Sequence, residues 1–457
     1  MTSKERKEAA GAGFGPGERV AFSNERFGLE GILMPKSDFT DPHCIVLKLD
    51  SGYNIGLDAR GAKMRKLADA KKNGPIGRKA EGTDMKAPTM HREPHGHRER
   101  APIHLLTTGG TIASKVDYTT GAVHPTLGAG ELVETYPELK RMAPISAKSV
   151  LSVPSEEMMP EQWTVMAREA ANALKDGAAG VVIAHGTDTM GYSAAALSYA
   201  LPDPPGPVVF TGAQRSPDRG SSDAAQNLFC SAAAARADFA AVTVCMHANS
   251  SDEFNHLHWG TRVRKSHTSG RWAFRSVGVP PMGKVMADSG QVLIDDALVS
   301  KREAGRKLDL KAKFSSNAHL AWIYPGIQAK VVESWADFDG VLLAGTGLGH
   351  VPMGALDPKA KNSLYKALDG LVRSGVVVAV APQAMGGRVI LETYSTGRLM
   401  ENIGIIGHGA DWTVETAYVK MCWALGQEKD AKKIRKILLT PLANDITPYS
   451  QITDEIA

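Results

Sequence analysis

Residues 103–113 read IHLLTTGGTIA, and this stretch decides the fold. Its apolar run, Ile103, Leu105 and Leu106, ends in two threonines, two glycines and a third threonine. A short apolar run closed by a Gly turn predicts a buried strand that opens into a polar loop. The same design returns at 179–187 (AGVVIAHGT) and 205–213 (PGPVVFTGA). Between the first two lies PEQWTVMAREAANALKDG at 160–177, an amphipathic helix that opens at Pro160 and stops at Gly177. Strands alternating with helices predict a parallel sheet. The reactive residue types sit at the strands' carboxyl ends, where such sheets place their ligands.

Outward from this centre the pattern repeats and then changes. A second α/β region begins near Ala318, with strands in AHLAWIYPG, DGVLLAGTGLGH and SGVVVAVAPQ and a late helix in ETAYVKMCWALG. Toward the amino end, RVAFS, FGLEGILM, HCIVLKL and YNIGL are short β-like runs broken by Gly and Pro. They predict a small antiparallel barrel or curled sheet over 14–67, read as a docking or spacing module. Residues 68–100 lose apolar periodicity and are rich in Lys, Arg, Gly, Pro and His, as a solvated basic linker is. His91, His95 and His97 fall in that linker, where nothing would fix them as ligands, so no metal site is expected. The expected layout is therefore 14–67, a linker at 68–100, a larger α/β domain at 101–300 and a smaller one at 318–440.

Bulk properties exclude several classes. With 457 residues, 43% apolar and 22% charged, the chain has the composition of a soluble globular protein of more than one domain. A net charge of +4 is too small to argue for nucleic-acid binding by itself. Cys44, Cys230, Cys245 and Cys422 form no C-x-x-C pair, which fits a reducing compartment and offers no zinc framework. The charged amino terminus lacks a signal-type apolar core, and no run of ~18 apolar residues occurs, so a cytoplasmic location is expected.

Four loops carry the chemistry: Thr107–Ala113 with Asp117 and Tyr118 beyond it, Ser155-Glu156-Glu157, His185–Thr189, and Arg264-Lys265-Ser266. A neutral hydroxyl attacks an amide poorly, so a threonine nucleophile needs a neighbouring proton acceptor. Tyr118 and Lys265 are the groups able to supply it. Paired glycines allow a tight turn that aims backbone N–H groups at developing negative charge. An isolated Thr after a strand would be a helix cap, and an isolated Lys in HWGTRVRKSH a solvated charge. His185 and Arg215 with Asp223 are expected to pack and to fix loops rather than to react.

TGGTIA, HGTDTM, GAQR with a downstream Asp-x-x-x-Asn, and then a lone Lys occur in this order across residues 103–276. In this the chain resembles the asparaginase/glutaminase family. The resemblance implies an α/β, asparaginase-like two-domain parallel-sheet fold preceded by the small β-barrel-like domain. It implies that Thr111 is the primary nucleophile with Tyr118 as its proton-handling neighbour, and that Thr187, Asp188 and Lys265 form a second hydroxyl–carboxylate–amine set. Ser155 and Asp188 would grip the substrate's α-carboxylate and α-amino groups. Glu156 stands where many stand-alone asparaginases have Gln, which leaves the Asn/Gln preference open.

GLEGILMP, LKLDSGYNIGLD, DYTTGAVHP, ETYSTGR and ETAYVKMCWALG carry a narrower resemblance, to the D-subunit family of archaeal glutamyl-tRNA(Gln) amidotransferases. It implies a homodimer within a heterotetramer that releases ammonia from glutamine or asparagine for the E-subunit of such enzymes. That partner would use ATP and Mg to convert glutamyl-tRNA(Gln) to glutaminyl-tRNA(Gln), and this chain would need no cofactor or metal. In keeping with that division, Gly345–His350 lacks the Lys of a phosphate-binding loop. Two competing readings are a free-standing cytoplasmic asparaginase and a non-catalytic tRNA-binding or assembly component. The amino-terminal module opposes the first, and the intact Thr111, Thr187, Asp188 and Lys265 oppose the second.

Overall fold

The computed structural model describes residues 14–15, 17–23, 28–33, 44–49, 54–67, 101–116, 123–125, 128–217, 221–295, 298–303, 305–357, 360 and 363–448. The linker at 68–100, Tyr118 and the three linker histidines lie outside these residues. The chain divides into two compact units, the first with the five amino-terminal strands and the second with all later elements.

In the first unit, strict alternation makes the sheet. Strand β1 (Arg19–Ser23) turns Val20 and Phe22 inward, and they pack with Leu47 and Leu57. It pairs with β2 (Gly28–Leu33) and β5 (Lys63–Lys66), while β3 (Cys44–Lys48) joins β2 to β4 (Asn54–Asp58). All pairs are antiparallel in the order β4-β3-β2-β1-β5, an open sheet among the described residues.

The second unit is built on an eight-stranded sheet. Its parallel part consists of β6 (Ile103–Thr107), β9 (Ile145–Ser149), β10 (Gly180–Ala184), β11 (Val208–Thr211) and β12 (Val242–His247). A short hairpin, β7 (Ser114–Val116) with β8 (Val123–Pro125), lies apart from it. Antiparallel β13 (Phe254–Trp259), β16 (Gly283–Met286) and β17 (Val292–Ile294) extend one edge. A second hairpin pairs β14 (Val263–Lys265) with β15 (Phe274–Ser276). Strands β10 to β12 are buried at every position, which is why their sequences read as unbroken apolar runs.

Helices cover both faces. Helix α1 (Pro160–Lys175) and α2 (Met190–Ala200) pack into one core, and α3 (Ala224–Arg236) packs into the other. As expected, α1 has Pro at its start and ends before Gly177, whose φ of +90° breaks the helix. Three more parallel strands, β18 (Ala318–Trp322), β19 (Gly340–Gly345) and β20 (Val377–Pro382), form the smaller domain. Helix α4 (Val414–Gln427) packs in the same core as α2 and β19, so the two α/β domains share apolar interior.

The strand order β12-β11-β10-β6-β9 sets the site. From β6 the chain steps one way to β9 and then returns past β6 to β10. The loops that leave β6 and β10 therefore part from each other and open a crevice at the switch point. These are the TTGGT and HGTDT loops.

Candidate active site

Three loops meet in that crevice at one glycine. Thr108, just after β6, donates through both its backbone N and its Oγ1 to Ala184 O, at 3.0 and 3.3 Å. Gly109 and Gly110 then take φ values of +106° and +86°. A Cβ on Gly110 would lie 2.6 Å from the Cα of Gly186, so the first loop touches the third only because Gly110 has no side chain. Thr111 follows at once, half-buried, opening a single 3₁₀ turn (Thr111–Ala113). On its other side Gly186 abuts Ser155, whose Cβ and Oγ would crowd any side chain there at 2.6 and 2.8 Å. Ser155 is buried, while Glu156 in the same turn is exposed. Thr189 Oγ1 donates to Ser155 O at 2.5 Å and locks the second loop to the third.

The third loop meets β14. Lys265 Nζ donates to Thr187 Oγ1 at 2.8 Å and to Asp188 Oδ1 at 2.7 Å. The Lys265 side chain is 14% exposed and that of Asp188 63%, so the amine lies inside the crevice and the carboxylate at its mouth. Thr187 caps no helix: Thr189 is the residue before α2, and the Thr187 hydroxyl is taken by the amine.

Alternation along the strand explains how Lys265 gets there. Arg262 and Arg264 point to the smaller domain, and Lys265 points the other way. Arg262 is wholly buried and donates to Asp411 O (2.7 Å), Asp411 Oδ1 (3.1 Å) and Asn444 O (2.6 Å). Arg264 pairs with Glu415 at 3.0 Å, and Thr416 Oγ1 donates to Thr261 O at 2.7 Å. Thus the smaller domain clamps the strand that presents the amine. Sequence reading missed this clamp. Its signal was the R-V-R-K alternation, but the partners lie about 150 positions away in sequence.

Two further groups shape the crevice floor. His185 is fully buried between Gly186 O and Ser193, and burial pushes its pKa down to about 4. Asp223 receives the backbone N–H groups of Gln214 and Arg215, and Asn227 ties it to Gly212 O. The Asp-x-x-x-Asn pair thereby fixes the loop after β11. Tyr118 lies outside the described residues. Among those residues, Glu392, Glu401 and His408 lie close enough to share a cation. They belong to the smaller domain, and the His408 Nδ1 already accepts the N–H of Leu391.

Comparison with known proteins follows the same division. Residues 102–299 match the family described as "Asparaginase, N-terminal", and residues 319–438 match "Glutaminase/Asparaginase C-terminal domain". The thermostable L-asparaginase from Thermococcus kodakarensis superposes with a TM-score of 0.67 at 30% identity, over 76% of this chain and 100% of its own. L-asparaginase I from Vibrio cholerae gives 0.64 at 26% identity, over 76% and 99%. Fold and crevice together define an asparaginase-type amidase scaffold. Residues 14–67 match a further family, "GatD N-terminal domain". The glutamyl-tRNA(Gln) amidotransferase D-subunit of Thermococcus kodakarensis is 42% identical over 97% of both chains, and that of Pyrococcus furiosus 41% over 93%. The chain belongs to the glutamyl-tRNA(Gln) amidotransferase D-subunit family. Among the described residues no helix is long and apolar enough to cross a membrane.

Proposed function

We propose that this chain hydrolyses the side-chain amide of glutamine, or of asparagine, and supplies the ammonia to a partner that amidates glutamyl-tRNA(Gln). The reading rests on one observation: a single amine, Lys265 Nζ, is hydrogen-bonded to both the Thr187 hydroxyl and the Asp188 carboxylate at the switch point. In this scheme Thr111 Oγ attacks the amide carbon and its proton passes toward Tyr118. The amide nitrogen takes up that proton and leaves as ammonia, and an ester to Thr111 remains. Water, activated through Thr187 and Lys265, hydrolyses that ester and restores the hydroxyl. Among the described residues the Thr187 N–H donates to no backbone carbonyl, which suits it to face the oxyanion. Ser155 and Asp188 hold the substrate's α-carboxylate and α-ammonium, with Glu156 beside them.

The chain itself uses no cofactor or metal, and ATP with Mg belongs to the E-subunit, the kinase and transamidase. Two copies of each chain form a cytoplasmic heterotetramer on tRNA(Gln). The test combines this chain, the partner, glutamyl-tRNA, ATP and Mg, and follows ammonia and glutaminyl-tRNA. Thr187→Ala should lower glutamine-dependent ammonia release by several orders of magnitude. Added ammonium chloride should still drive glutaminyl-tRNA formation in that mixture. Near-full ammonia release by the variant would remove Thr187 from the chemistry, and failure of ammonium to rescue would favour a free-standing asparaginase.

A further inference from the structure

Resting on that reading of the crevice, we infer that His185 is a positioning residue that sets the Gly186–Thr187 peptide, and through it both threonine loops. The ring is 0% exposed, and its edge packs against Phe210 at 5.9 Å between centroids. Nδ1 lies 2.6 Å from Gly186 O. A carbonyl oxygen only accepts, so Nδ1 carries the proton. Nε2 lies 2.9 Å from Ser193 Oγ, on the first turn of α2. With Nδ1 protonated, the neutral ring accepts the Ser193 hydroxyl hydrogen at Nε2. Both ring nitrogens are satisfied in one tautomer, and the pKa of about 4 keeps that tautomer through neutral pH.

The consequence lies in what the held carbonyl does to its peptide. No peptide bond among the described residues is cis, so the Thr187 N–H points opposite to the Gly186 carbonyl. With the carbonyl drawn toward the buried ring, the N–H is turned away from the core. The same glycine is the contact point for Gly110 and for Ser155. A rotation of this peptide would therefore shift Thr187, Ser155 and the residue before Thr111 together. A displacement of about 1 Å at reacting groups is enough to cost about a hundredfold in rate. His185 itself transfers no proton in this scheme, because its donor and acceptor positions are both engaged inside the core.

The amides of Asn and Gln mimic the two ring nitrogens separately, which gives the test. His185→Asn places an N–H near the Nδ1 position and should keep kcat for ammonia release within roughly tenfold of wild type. His185→Gln reaches the Nε2 position, and His185→Leu fills the space with no donor. Both should lose about a hundredfold or more in kcat, with KM raised as well because Ser155, which holds the substrate, shifts with the same peptide. Thermal melting of each variant separates loss of fold from loss of geometry. The pH–rate curve between 5 and 9 should keep its shape in every active variant, since a neutral ring has no titration to remove there. Nitrogen NMR of the wild-type ring should show an Nδ1-protonated tautomer that does not change across that range. An Asn variant no better than Leu, loss of a limb of the pH–rate curve, or ring titration near pH 6–7 would each overturn the inference. Absence of amide hydrolysis in the wild type with its partner would instead reject the underlying function.

Discussion

Two lysine–aspartate pairs in this molecule have nearly the same length and opposite characters. Lys265–Asp188 spans 2.7 Å and Lys420–Asp445 spans 2.6 Å. Lys420 and Asp445 are both fully buried. Lys420 also donates to Thr440 O at 2.6 Å and lies within 6 Å of the Tyr199 and Trp412 rings. Tyr199 donates to Asp445 Oδ2 at 2.9 Å, and Leu442 N donates to its Oδ1 at 2.7 Å. Burial pulls the Lys420 pKa down while Asp445 pushes it up. The crevice pair differs in openness: Asp188 is 63% exposed, and a threonine hydroxyl shares the amine. Separation therefore does not distinguish a reactive pair from a structural one. What distinguishes them is whether hydrogen-bonding capacity remains for a third molecule.

Removing each lysine in turn should separate the two pairs. Lys265→Met should reduce amide hydrolysis by about a thousandfold or more, because the amine that contacts Thr187 is gone. Stability should change by no more than about 1 kcal/mol, since one partner is solvent-exposed. Lys265→Arg should restore little activity, because a guanidinium is not compact and does not release a proton near neutral pH. Steady-state rates beside denaturant unfolding curves give both quantities. Substantial activity in Lys265→Met would end the contrast.

For Lys420→Met the losses should fall the other way. A buried carboxylate left without its cation typically costs about 3–5 kcal/mol. Activity per folded molecule should stay within roughly twofold, as among the described residues no crevice residue hydrogen-bonds to this pair. Lys420→Met with Asp445→Asn removes the unpaired charge and should recover part of the loss. Equal instability in the single and double variants would show that packing on Tyr199 and Trp412, rather than charge, dominates there.

The same contrast explains what could be read in the sequence. The apolar runs at 180–184, 208–211 and 340–345 announce central strands because both of their faces are covered. Pro160 and Gly177 bound α1 by local backbone rules that need no tertiary information. Strands β13 and β16, by contrast, carry His256, His258 and Lys284 among their apolar positions, and no run announces them. The threonine, serine and lysine motifs were legible as reactive types, and family resemblance supplied their roles. The meeting of the threonine and serine loops at Gly186 was not, because a missing Cβ matters only when two backbones approach. Nor were the partners of Arg262 and Arg264: HWGTRVRKSH looks like a solvated basic run until Asp411 and Glu415 arrive from the smaller domain.

Acid weakens the crevice floor through buried histidine. At the crevice floor the responsible group is His185. Its pKa is about 4 in the folded chain and ~6.5 when unfolded, so the native state binds fewer protons between those values. The stability tied to the neutral buried ring is then fully present above pH ~6.5 and is lost as the pH falls toward 4. A shift of this size corresponds to roughly 3 kcal/mol over the window. Buried His258 and half-buried His256 have pKa values lowered mainly by burial and add losses of the same sign. Denaturant unfolding at pH ~7, ~5.5 and ~4.5 should therefore show wild-type stability falling throughout, with His185→Asn falling less steeply. The difference between the two slopes isolates the crevice floor, since His256 and His258 titrate in both proteins. Parallel slopes would mean that the His185 ring is already charged, or already exposed, above the lowest of these pH values, and its neutral tautomer could not then be what holds the Gly186 carbonyl.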